Sequence, residues 1–326
     1  MSVTLLKEKE QIDVAQVPIE AVKRMAGSKI LVSHRNKAAA IYQLSQNLSE
    51  HPSRIIKEYR NHRSLVADAI YAETGDKIIT VSRRIISIFD RETKQVVKFT
   101  GHDRDITTVA INKENTKIVT GSQDGTFILW NTKGEMISKV GNVDNGHKGW
   151  INCVEFIPGT EDLIATASED GTVKIWDLNS NVLLKTFIDG QFVDYEKLAE
   201  NKIKVRDNNP DLAVKAVCFS NDGSLMAYGG RNAKISIISL TINEAMQHFD
   251  VPSKVTALAS GENQPLIAIA IPNKVLLWDI MDEKVIAEYT FSDHNEVYCY
   301  SLTFVEDELV VGLTTGKLIR LEISRN

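Results

Sequence analysis

Short runs in which apolar and polar residues alternate recur along the whole chain, and a period of two predicts strands with one face buried. Seven such runs stand out: AAIYQL at Tyr42, ISIFD at Phe89, FILWN at Trp130, VKIWD at Trp176, ISIISL at Ile238, VLLWD at Trp278 and LIRLEI at Leu321. Their reference residues are 47, 41, 46, 62, 40 and 43 positions apart. Near-regular steps predict seven copies of one small antiparallel sheet. The step of 62 places an insertion between the fourth and fifth copies, at Asp189–Leu212. Within it Phe192, Tyr195 and Leu198 are spaced three apart, as on a turn of amphipathic helix, although a solvated loop is the plainer reading. Asn221-Asp222-Gly223 is a hairpin turn. An unpaired edge is a liability in any sheet, and Val3-Thr4-Leu5-Leu6, ahead of the first copy, is suited to supply the outer strand of the last.

The third and fourth copies share more than alternation. Gly101-His102 precedes ITTVAI and IVTGSQDGTFILW, and Gly146-His147 precedes WINCVEF and IATASEDGTVKIWD. Asp124 to Trp130 and Asp170 to Trp176 are equal steps, and each His precedes its Asp by 22 or 23 residues. A buried indole N–H needs an acceptor. A strand hydroxyl can accept it and meet the imidazole, whose other nitrogen faces the turn carboxylate. The predicted tetrads are His102, Ser122 (or Thr120), Asp124 and Trp130, then His147, Ser168 (or Thr166), Asp170 and Trp176. Gly-His and Trp-Asp at this period resemble the WD40 repeat, which implies an all-β, seven-bladed WD40 β-propeller, with 1–326 as one domain. The other copies are worn. The second keeps His62 and Asp68 but has Arg83-Arg84 where the tetrad Asp would stand, and the fifth ends in Ile238 instead of Trp. Stacking between neighbours can hold such blades together.

Composition narrows the function. At 43% hydrophobic and 25% charged, the 326 residues have the balance of an ordinary globular chain. No run approaches 18 apolar residues, and Lys7, Glu8, Lys9 and Glu10 stand where a signal peptide needs an apolar core, so a cytoplasmic protein without membrane contact is expected. Cys153, Cys218 and Cys299 lack metal-ligand spacing and read as buried free thiols; no metal or other cofactor is expected. No phosphate loop or nucleophile elbow is present, and a Ser, His and Asp repeated beside a Trp point to scaffolding, so neither an enzyme nor a small-molecule substrate is expected. Residues 20–100 carry fifteen Lys+Arg against eight Asp+Glu, a net of +7, leaving −12 for the rest of a chain whose total is −5. This basic sector spans the first two blades and suits nucleic acid or an acidic surface; solubility alone is the competing reading.

Three segments carry a more specific resemblance: VVKFTGHDRDITTVAI, KIVTGSQDGTFILWNTKG with Asn131 after the Trp, and NGHKGWINCVEFIPGTEDLIATASEDGTVKIWDL. Together they are similar to the receptor for activated C kinase family, the Gβ-like scaffold of the eukaryotic small ribosomal subunit. That resemblance implies a ribosome-associated protein that binds ribosomal RNA and small-subunit ribosomal proteins and recruits protein kinases and translation regulators. In that family an Arg-Asp-Lys turn between the last two strands of blade one touches ribosomal RNA. Arg35-Asn36-Lys37 keeps both cations here, and Arg60, before Asn61-His62, also resembles a contact position, with Arg63 beside it. The chain departs from the family in lacking a Gly-His opening in blade one, in a longer link between blades four and five, and in a shorter one between six and seven. The alternatives are a signalling G-protein β-like subunit, which would need a heptad helix ahead of blade one, and a ubiquitin-ligase substrate receptor, which would need a recruiting domain.

Overall fold

The computed structural model describes residues 4–60, 62–141, 145–193, 210–262, 264–292 and 296–325. Seven antiparallel sheets occupy it, as the repeat spacing predicts. Their innermost strands are Ile19–Met25, Asp68–Ala72, Ile106–Ile111, Ile151–Phe156, Val214–Phe219, Ala257–Ser260 and Cys299–Val305. Each touches the next around the circle, and the last returns to the first, so the ring is closed. Both faces of every sheet are therefore covered, and the apolar residues gather in seven clusters, each shared by two neighbouring blades. Loss of one Trp leaves such a cluster filled by the partner blade.

In five blades the innermost strand bulges at its second residue: Glu20, Thr107, Asn152, Lys215 and Tyr300. A bulge re-aims the extra side chain, and all five line the mouth of the central channel. Two of them tie blades together. The Thr107 hydroxyl donates to the Gly121 and Ile151 carbonyls, and the Asn152 amide donates to the Val214 carbonyl at 2.8 Å. Deeper in, Lys23 of blade one meets Glu155 of blade four at 3.4 Å, so an ion pair crosses the channel.

The polar tetrads assemble on threonine instead of serine. Thr120 Oγ1 accepts the Trp130 indole N–H at 2.9 Å and meets His102 Nε2 at 2.9 Å, while His102 Nδ1 lies 3.1 Å from Asp124 Oδ2. In blade four Thr166 does the same for Trp176 (2.9 Å) and His147 (2.7 Å), with His147 Nδ1 2.9 Å from Asp170. Ser122 and Ser168 are corrected out of the tetrad. Ser122 donates to the Arg104 and Asp105 carbonyls, and both serines accept the N–H of the turn Asp. Period two puts Thr and Ser on one face, and the register decides between them: Ile118 pairs with Trp130, two positions from Thr120. Thr126 and Thr172 complete each cluster by donating to the same Asp. Blade six reaches the end differently, with the Trp278 indole donating to Gln247 on the outer strand of blade five at 2.9 Å and stacking on Phe249. Asp68 reaches to blade three, accepting the Val109 N–H at 3.0 Å, while its other oxygen accepts the Ala69 N–H of its own blade at 2.8 Å.

The Thr4–Asp13 strand pairs with Lys317–Arg325, which gives blade seven its outer strand from the start of the chain. A buried ion network fastens this pairing. Arg320 donates to Glu308 at 2.9 Å, to Glu10 at 2.6 Å and to Ser53 of blade one at 3.0 Å, and Lys9 joins Glu308. Burial pushes the Glu10 carboxyl up, but hydrogen bonds from Ser53 and Arg320 outweigh it and hold the group below its usual range. Gly316 turns the chain at φ 82°, where a Cβ would lie 1.8 Å from the Ala15 carbonyl oxygen.

Blade four has five strands, not four. The insertion begins with Gln191–Val193, which pairs with Val182–Ile188 and sets Phe192 against Phe187 at 5.8 Å between ring centroids. It ends in a short 3-10 turn, Pro210–Leu212. Its described ends are thus ordered against blades four and five, and Gly190 N–H donates to the Tyr228 hydroxyl at 2.7 Å. Tyr195 and Leu198 lie outside the described residues, as do Val3 and Asn61.

Candidate nucleic-acid interface

In every blade the chain runs down the innermost strand, up the second, down the third and up the outer one. Turns between second and third strands therefore share one face with the links from outer strand to next blade. Arg35, Asn36 and Lys37 form such a turn, between Lys29–His34 and Ala38–Gln43. It joins the second and third strands of blade one, not the last two, because Arg54–Tyr59 follows as the outer strand. Arg60 and Arg63 leave that outer strand on the same face. Tyr59 pairs with Ala39, so Arg60 emerges opposite Ala38, one residue from Lys37 and one strand spacing away, about 4.8 Å.

The cations differ in what holds them. Arg35 is turned to the channel mouth, its Nε–H donating to the Glu20 carboxylate, which is mostly buried. That hydrogen bond raises the Arg35 pKa further, while burial pushes Glu20 up against the pull of the guanidinium. Arg60 is more open; its side chain is 73% exposed and its Nε–H donates to Glu58 at 2.7 Å. Asn36, Lys37 and Arg63 are exposed. Lys37 holds φ at 60°, left-handed backbone that fixes the hairpin and with it the direction in which the two cations leave it. Behind the turn, burial lowers the His34 pKa.

Sequence reasoning left two more cations of this sector unread. Arg83 and Arg84 make the corresponding turn of blade two, between Lys77–Ser82 and Ile85–Asp90. The signal is the missing Asp of the second copy, which in the sequence reads only as a loss. Among the described residues no group of three His, Cys, Asp or Glu could hold a metal. The three cysteines are unpaired; Cys299 is buried and the other two are half-buried, and burial pushes the Cys153 and Cys299 thiols up to about 12. No helix among the described residues is long and apolar enough to cross a membrane.

Comparison with known proteins agrees with the repeat and extends it. The WD domain, G-beta repeat model matches residues 93–131 and 138–177, and the anaphase-promoting complex subunit 4 WD40 domain model matches 158–263. The small ribosomal subunit protein RACK1y of Oryza sativa subsp. japonica is 28% identical over 198 residues, 58% of this chain and 53% of that protein. WD repeat-containing protein 37 of Mus musculus is 33% identical over 123 residues, 37% of the chain and 24% of that protein. A guanine nucleotide-binding protein subunit beta-like protein of Encephalitozoon cuniculi (strain GB-M1) is 37% identical over 310 residues, covering 94% of the chain and 93% of the relative. A closed ring of seven blades, two of them with complete Thr-linked tetrads, and a relative aligned from end to end lead to one conclusion: the chain belongs to the WD40, Gβ-like repeat family.

Proposed function

We propose that this WD40 interaction scaffold docks, without enzymatic activity of its own, on the small ribosomal subunit, with Lys37 and Arg60 as the leading contacts to ribosomal RNA and Arg35, Asn36 and Arg63 beside them. The observation that carries the reading is the register that sets Lys37 and Arg60 on adjacent strand ends of one face. Cations on rigid turns suit A-form RNA, which offers phosphates and 2′-hydroxyls on its outer surface and is bound by shape. The partial similarity to the ribosomal subunit protein of rice supports the same partner. Other faces of the ring are then left for protein kinases, translation regulators and small-subunit proteins, and the working location is the ribosome-bound cytoplasm.

The test is co-sedimentation with purified small subunits at two salt concentrations. Arg35→Asp is a poor probe, because it sets a second carboxylate beside the buried Glu20. Lys37→Glu with Arg60→Glu reverses two charges at positions whose side chains leave the fold. Association should fall by at least about tenfold, and higher salt should weaken the wild type further as counterions are released. Unchanged binding by an equally folded double variant would overturn the ribosomal reading in favour of another WD40 interaction subunit.

A further inference from the structure

Blade two holds most of the donors of a tetrad without its carboxylate. His62 takes the place of His102, with Nε2 3.4 Å from Thr80 Oγ1, and Thr80 takes the place of Thr120, since Ile78 pairs with Phe89 as Ile118 pairs with Trp130. Lys98, cross-strand from Ser87, corresponds to Lys139, which in blade three lies 2.8 Å from Asp103 and 3.9 Å from Asp124. The turn of blade two is one residue shorter, however. Arg83-Arg84 replaces Gln123-Asp124-Gly125, and Ile85 stands where Thr126 donates to Asp124. A cavity of about 200 Å³ results, lined by His62, Arg63, Ser82, Arg83, Ser87 and Lys98 among others, and no described acidic residue lines it.

We propose that this recess is a binding site for a phosphoryl monoester carried on a side chain of a protein partner, a phosphorylated serine or threonine. An anion there restores what Asp124 supplies within blade three. Arg83 and Arg63 add guanidinium donors suited to phosphate, and Arg83 is already oriented by a 3.2 Å hydrogen bond from its Nε–H to Ser64 Oγ. Ser87 offers a hydroxyl, while that of Ser82 is donated to the Ser64 carbonyl at 3.2 Å. A terminal monoester can enter such a recess, whereas an RNA phosphate, esterified on both sides, runs across a surface. Leu65, 37% exposed in the adjoining link, offers apolar contact to a neighbouring peptide residue. Burial, and to a lesser degree the nearby Lys98 charge, bring the His62 pKa down to about 4. The recess shares Arg63 with the proposed ribosomal face, but neither Lys37 nor Arg60 lines it.

The experiment measures fluorescence anisotropy of a labelled five-residue peptide, phosphothreonine flanked by glycine and alanine, against the full chain. Its unphosphorylated twin, inorganic phosphate and a short single-stranded RNA serve as competitors. The phosphopeptide should bind at least tenfold more tightly than the twin and be displaced by phosphate. Arg83→Gln should weaken it at least fivefold, and Ile85→Asp, which returns a carboxylate to the recess, should abolish it, both with unchanged thermal melts. Should Ile85→Asp fail to fold, Arg83→Gln decides alone. Equal binding of the two peptides, or unaltered affinity in a folded Arg83→Gln protein, would overturn the proposal. Displacement by RNA in preference to phosphate would assign the recess to nucleic acid and overturn it too. The Lys37→Glu, Arg60→Glu variant, whose positions do not line the recess, should keep wild-type affinity for the phosphopeptide, which separates failure here from failure of the ribosomal reading.

Discussion

Replacing Asp170 by Ala tests how much a tetrad contributes. Its carboxylate meets His147 Nδ1 at 2.9 Å and accepts the N–H of Lys148 and of Thr172, each at 2.9 Å, and the Thr172 hydroxyl at 2.7 Å. The side chain is 1% exposed, so water does not readily replace it. A buried donor left without an acceptor costs about 1–3 kcal/mol. The hydroxyl can rotate away, but the two backbone N–H groups and the imidazole cannot, so with three stranded donors Asp170→Ala should destabilise by about 3–5 kcal/mol. Asp124 makes the same set of contacts but is 7% exposed and closer to solvent, and about 1–3 kcal/mol is expected for Asp124→Ala. Burial pushes the Asp170 carboxyl up, but contacts from His147, Lys148 and Thr172 hold it well below its usual range. Its folded pKa thus lies below the unfolded value of about 3.9. This part of the stability is complete above about pH 4 and is lost as pH falls toward the folded value, so wild type and variant should converge in acid. Urea unfolding followed by far-UV circular dichroism, at pH 7 and in acid, reads both effects. A loss under about 1 kcal/mol at pH 7, or a gap that does not narrow in acid, would refute the reasoning.

Other perturbations address other joints of the ring. Arg320→Met leaves Glu10 and Glu308 facing each other with Lys9 as the remaining cation; a loss of about 3–5 kcal/mol is expected, with faster hydrogen exchange over residues 4–13, and a loss below about 1 kcal/mol would mean the network does not fasten the terminal strand. Gly316→Ala forces a Cβ onto the Ala15 carbonyl oxygen at positive φ and should lower the melting temperature more than Gly27→Ala, where φ is also positive but nothing lies within 4 Å; equal effects would count against the close approach. Gln247→Leu strands the Trp278 indole N–H between two blades and should destabilise by about 1–3 kcal/mol in urea unfolding, whereas a neutral result would show that the indole finds another acceptor.

Much of the architecture is written locally. Alternation and near-constant steps between Tyr42 and Leu321 specify the number of sheets, because each blade is one supersecondary unit that repeats the same core face. Trp130 and Trp176 with their upstream His and Asp are legible for a related reason: a buried indole and imidazole must be satisfied, and few residues at fixed spacing can do it. Candidate cations were legible as charge, since Arg35, Lys37, Arg60 and Arg63 stand out in a basic sector of an acidic chain.

What the linear pattern left open were choices among chemically equivalent neighbours. Thr120 and Ser122 both carry hydroxyls on one face of one strand, and the pairing register selected the threonine. Gln191–Val193 has no alternation long enough to read; it became a strand because the edge of blade four offered unpaired backbone groups. Arg35 and Lys37 are alike on paper, yet a bulge on the innermost strand placed Glu20 where it claims Arg35, leaving Lys37 on the exposed face. The second copy's missing Asp read as decay, and only the packing of His62, Arg83 and Lys98 around the gap made it a recess. Sequence by itself determined the repeat, because each blade is one supersecondary unit of about forty residues with the same alternation. The tertiary structure decided which polar groups share one face, because those groups come from the strand ends and links of different blades, which only ring closure brings together.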